Sequence, residues 1–134
     1  MSEFNDRAQE LRNETEVHYN CAQAVIVPFA DKLGMSEEQV YRLTANFGGG
    51  MKRAATCGAI TAGLMVLGLF GVDDSSTIGE YYTRFKNNHQ GKLDCADLLR
   101  INKENGGDKK AHCDGMVQEA ITILEDILTE KGKL

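Results

Sequence analysis

The residues best equipped for chemistry are four cysteines, Cys21, Cys57, Cys95 and Cys113, which lie 36, 38 and 18 positions apart. None belongs to a close pair of the zinc-ribbon or thioredoxin kind, so a joint site has to be assembled by folding rather than by a local turn. Their positions relative to helix starts say more. Cys57, Cys95 and Cys113 fall in or near the first turn of predicted helices, where unpaired amides and the positive end of the helix dipole favour a thiolate over a thiol. Converging thiolates suit either a dithiol that cycles to a disulfide or a soft-metal centre, an iron-sulfur cluster or another thiophilic metal. In the first case Cys57 is the attacking thiolate and Cys21 or Cys95 resolves the mixed disulfide. In the second, Cys21, Cys57, Cys95 and Cys113 are all ligands. His112, directly before Cys113, is the candidate for a mixed nitrogen and sulfur site. His18 and His89 lie on apolar faces of predicted helices and read as core or boundary residues. The competing reading takes the cysteines as small packing residues of a non-enzymatic helical interaction module, self-associating as a homodimer through glycine-rich helix faces.

These cysteines are positioned by segments with helical periodicity. The stretch from Thr56 to Val72, TCGAITAGLMVLGLFGV, carries no charge, and a helix apolar all round is surrounded either by protein or by lipid. Its flanks are amphipathic segments that need a shared core and no second apolar run exists, so a bundle is favoured over a membrane span. From Ser2 to Lys32, Phe4, Ala8, Leu11, Thr15, His18, Ala22, Val25 and Phe29 recur at steps of three and four, predicting one long amphipathic helix, kinked or ended early by Pro28. Ser36 and Gln39 form a capping box that opens a short helix to about Asn46. Phe47 to Arg53, with three consecutive glycines, reads as a flexible connection; its glycine amides and Lys52 and Arg53 make only a weak anion site. Ile78, Tyr82, Phe85 and His89 trace the expected inner face of a further helix. Asp94 caps a turn from Cys95 to Arg100, and Asp108 caps a last helix whose buried face runs through Cys113, Met116, Val117, Ala120, Leu124, Ile127 and Leu128. The expected fold class is all-α: one domain over residues 1–134, a bundle of about five to six helices around a buried central apolar helix.

Composition narrows the function classes. A chain of 134 residues buries a core without disulfide staples. Its net charge of -5 argues against a nucleic-acid backbone or an anionic membrane surface as partner. The N-terminus MSEFNDRAQE is polar and acidic where a secretory signal is basic and then apolar, so a cytoplasmic protein is expected. That compartment is reducing, which moves four cysteines toward thiol, metal or transient redox roles and implies a separate redox partner. No serine stands in a nucleophile-elbow context, and no fixed carboxylate pairing suggests a glycosidase or protease.

The order of motifs resembles a known family. Asn20-Cys21-Ala22-Gln23-Ala24-Val25, Phe47-Gly48-Gly49-Gly50-Met51, and Thr56-Cys57-Gly58-Ala59 with Gly63, followed by single downstream Cys95 and Cys113, are similar to the C_GCAxxG_C_C family of redox-active proteins over roughly Asn20 to Leu128. Where the family name has alanine directly after its central cysteine, this chain has Gly58, and Thr56 stands in place of a glycine. The resemblance implies an all-helical protein whose four cysteines are redox-active or metal-binding, and it implies no particular substrate.

Overall fold

The computed structural model describes residues 2–134. Seven α-helices follow one another, α1 (Glu3–Asn13), α2 (Cys21–Ile26), α3 (Glu37–Leu43), α4 (Gly58–Leu69), α5 (Ser75–Asn88), α6 (Cys95–Glu104) and α7 (Lys109–Glu130), with a 3-10 turn at Val27–Phe29. The all-helical class expected from the sequence is observed; the only extended pairing among the described residues is an isolated antiparallel bridge between Thr56 and Asp94. There are more helices than expected because the first predicted helix is two. Glu14 takes an extended conformation, φ -63° and ψ 130°, and ends α1. Its carboxylate then accepts the amides of Thr15 and Glu16, at 3.0 and 3.1 Å. Such local bonds compete with helix continuation. The chain restarts where Asn20 and Gln23 cap each other's amides, both at 2.8 Å, and α2 begins at Cys21. Thr15 and His18, expected on a buried stripe, are exposed in the connection. Pro28 sits in the 3-10 turn that ends this second piece, as its missing amide requires.

Short as it is, α2 shares the centre with α4. Every residue from Ala22 to Val27 is buried, and α2 packs on α4, α7 and α1. Each large apolar side chain so enclosed contributes about 1.5–3 kcal/mol relative to exposure. The central helix begins at Gly58 rather than Thr56, and it is less enclosed than its composition suggests, since Gly68 and Leu69 at its far end are exposed. Stacking of Phe4 on Phe29, with ring centroids 4.5 Å apart, joins α1 to the turn after α2.

On α5 the buried face is Thr77, Tyr81 and Phe85, one position away from the expected Ile78 and Tyr82, which are half-buried. The cause lies on α4. Tyr81 lies against Gly63, occupying the space a Cβ there would take, and its hydroxyl donates to the Ile60 carbonyl at 2.8 Å. A fully buried tyrosine needs such a partner for its hydroxyl. His89 caps the end of α5 and its Nε2 meets Glu119 of α7 at 2.8 Å, which makes it the half-buried boundary residue its sequence position implied. The last helix matches its expected buried face from Met116 onward, adding Ile121 and Ile123, while Cys113 is only half-buried. No helix among the described residues is long and apolar enough to cross a membrane.

Candidate redox site

The four cysteines, separate in sequence, line one cavity of about 360 Å³ between the starts of α2, α4, α6 and α7. All are free thiols. Cys21 is the first residue of α2 and half-buried; Cys57 is the N-cap of α4 and 6% exposed; Cys95 is the first residue of α6; Cys113 lies in the second turn of α7. The bridge between Thr56 and Asp94 holds two of these starts together. Within it the Cys57 amide donates to the Leu93 carbonyl at 2.9 Å and the Cys95 amide to the Ala55 carbonyl at 2.7 Å. Because alternate residues of extended chain point to one side, Cys57 and Cys95 leave this small ribbon on the same face.

Cys21 and Cys57 form the tight pair. The Cys21 sulfur rests on the backbone directly after Cys57: a Cβ placed on Gly58 would stand 2.7 Å from Cys21 Sγ and 2.5 Å from the Phe47 carbonyl oxygen. That close approach gives a physical reason for glycine, not alanine, after the cysteine in this chain. The neighbouring Cys57 thiol, then the Gly49 amide, the charge of Arg12 and the Ala22 amide, lower Cys21 from its ordinary 9.0 to about 6 against the opposing effect of burial. Cys57 moves the other way. Its proton is held by the contact with Cys21 and by burial, which outweigh the α4 amides of Ala59 and Ile60. The two acidities are thus pushed apart, Cys21 down and Cys57 up, by one shared contact.

Two supports of this arrangement were not visible as such in the sequence. Gly49, Gly50, Met51 and Lys52 are consecutive left-handed residues, with φ between 57° and 65°, and Ala54 is another at 59°. Hydrogen bonds from the Met51 amide to the Phe47 carbonyl at 3.3 Å and from the Ala55 amide to the Gly50 carbonyl at 2.9 Å hold the segment. Three non-glycine residues in this region store strain of about 1–3 kcal/mol each, and the turn delivers the Gly49 amide to the Cys21 sulfur. What the sequence presents as a flexible connection is a specific backbone shape. The second support is Arg12, whose Nε donates to Asp114 at 2.7 Å and Nη1 to the Tyr19 carbonyl at 3.0 Å. Nothing local in the sequence marks it, since Asp114 is 102 residues away.

Burial raises Cys95 and Cys113, with the Cys21 charge adding to the effect and Lys109 opposing it. His112 lines the cavity beside Cys113, and burial lowers its pKa, then the nearby His89. His18 reaches the cavity rim from the exposed connection. As a donor set four thiols suit soft metals. Among the described residues, however, no three histidine, cysteine or carboxylate side chains are gathered as a metal-holding group. The arrangement is a close sulfur pair with two further thiols lining the same cavity.

Comparison with known proteins agrees with the cysteine pattern. A family model described as "Putative redox-active protein (C_GCAxxG_C_C)" matches residues 19–127. The chain belongs to the C_GCAxxG_C_C family. The matched span of this family member contains all four cysteines, the left-handed turn and the whole of α4. No curated protein and no solved structure matches the chain.

Proposed function

We propose that this C_GCAxxG_C_C protein is a thiol-disulfide redox protein in which Cys21 and Cys57 are the working pair. The observation that carries the reading is the seat of the Cys21 sulfur on Gly58, against the protonated Cys57 thiol. The roles are reversed from those expected on helix position alone. Cys21 attacks, because it is the stabilised thiolate and the less buried of the two; Cys57 resolves, because it stays protonated until its partner's charge is gone. In the step itself, Cys21 S⁻ attacks a disulfide RSSR, forming Cys21–S–SR and releasing RS⁻. Cys57 then loses its proton and attacks Cys21 Sγ, closing the Cys21–Cys57 bond and expelling the second RS⁻. Two electrons pass from the protein dithiol to the external disulfide, and the thiolates released take up protons. The reverse sequence reduces the protein with an external thiol. Cys95 and Cys113, kept as thiols by burial, take no part in these bonds.

The test is to equilibrate the reduced protein in buffers of dithiothreitol and its oxidised form, then map disulfides by mass spectrometry of the intact fold. The Cys21 and Cys57 thiols disappear together, and Cys95→Ser and Cys113→Ser leave that behaviour in place. A different cysteine pair, no thiol loss at any poise, or absorbance from bound iron in protein purified without air overturns the assignment.

A further inference from the structure

Among the described residues no carboxylate lines the cavity holding the cysteines, although the chain as a whole has a net charge of -5. Besides the thiols, its titratable lining is Arg12, His18, Lys109 and His112. Two of the nearby acids are engaged elsewhere. Asp114 binds Arg12 Nε at 2.7 Å and Lys110 Nζ at 2.8 Å, and the Asp108 carboxylate accepts the Ala111 amide at 2.9 Å as the cap of α7. Arg12 uses Nε and Nη1 in these contacts, leaving Nη2 without a partner among the described residues. Lys109, exposed at the start of α7, forms no ion pair among them either. Leu98, Leu99 and Met116 supply apolar wall. A volume of about 360 Å³ lies toward the small end of small-molecule sites, roughly 300–1,000 Å³.

We propose that the external disulfide accepted here is a small molecule bearing carboxylate groups, its anionic ends drawn by Lys109 and Arg12 while its sulfur-sulfur bond meets Cys21. The proposal rests on the dithiol reading above and specifies its substrate class. Thiol exchange then follows the electron balance already given: the carboxylated disulfide takes two electrons and leaves as two carboxylated thiols. Positive charge around an apolar-walled cavity concentrates anions and excludes cations.

Three disulfides of similar length test it: 3,3′-dithiodipropionate, 2-hydroxyethyl disulfide and cystamine, which are anionic, neutral and cationic. Oxidation of the reduced full chain is followed for each, and every rate is divided by that of the same disulfide with a small neutral thiol, which removes differences in leaving-group chemistry. The normalised rates fall in the order anionic, neutral, cationic, with roughly 10-fold or more between the extremes at low salt and a smaller spread at high salt. Lys109→Glu lowers the anionic-to-neutral ratio by roughly 5- to 10-fold; an acid at the first position suits a helix start, so the fold is kept. Equal or reversed normalised rates with a Cys21–Cys57 bond formed overturn the substrate class and leave the dithiol chemistry standing. Failure of all three to produce that bond overturns both.

Discussion

Cys21 and Cys95 each stand first in an α-helix, after an N-cap residue in extended conformation, yet their acidities move in opposite directions. The dipole does not account for this, because Cys95 opens the longer helix, 10 residues against 6. What differs is the set of groups touching each sulfur. Cys21 has the Cys57 thiol, the Gly49 amide and the field of Arg12 to lower it, whereas Cys95 has burial and only the Lys109 charge to offset it. The caps differ too: Asn20 takes the Gln23 amide, while Asp94 makes no side-chain cap bond. A helix start offers a thiolate a favourable place; directed donors decide whether it forms.

The largest effect that can break this comparison is in alkylation of the reduced protein at pH 7. Cys21 reacts faster than Cys95 by roughly 10²-fold, Cys21→Ser removes the rapid phase, and Cys95→Ser leaves it; mass-resolved labelling with iodoacetamide reads both. Next comes removal of the donor. Cys57→Ala raises the midpoint of the Cys21 alkylation profile from about 6 toward 9.0, and its rate at pH 7 drops by roughly 10-fold. An unmoved midpoint shows that the amides and Arg12 suffice.

Stability should record the same asymmetry. Between pH 6 and 9.0 the unfolded chain holds a proton at Cys21 that the folded chain lacks, so this thiol's stabilising contribution grows as pH rises through that window and is lost as pH falls through about 6. The raised cysteines act oppositely, lowering stability as pH climbs beyond about 9.0. In urea titrations under reducing conditions, the advantage of the wild-type chain over Cys21→Ser therefore widens from pH 6 to 9. The smallest difference concerns the caps: Asn20→Ala costs about 1 kcal/mol and Asp94→Ala less than ~0.5 kcal/mol, measured by the same titrations.

Local rules made much of the fold legible. The Ser36 and Gln39 box, the Asp108 cap and the apolar face from Met116 to Leu128 all depend on neighbours within a few turns. The break after Asn13 was obscured because Thr15 and His18 continue the helical spacing, although Asn20-Cys21-Ala22-Gln23 is itself a capping box. The shift on α5 had no local signal, since Gly63 on another helix decides which tyrosine is enclosed. At the site, the residue types were legible and the order of acidity was not. The Gly49 amide, Arg12 and the Cys21 contact with Gly58 arise from distant segments brought together by the core.

The ribbon joining Ala55–Cys57 to Leu93–Cys95 limits how the proposed disulfide can be accommodated. With the Cys57 and Cys95 amides both tethered there, neither helix start can advance alone. If the proposed Cys21–Cys57 bond forms, the adjustment falls instead to side-chain rotation at Cys57 and to Cys21 at the start of the six-residue α2, so the shortest α-helix of the bundle carries the sulfur that has to yield.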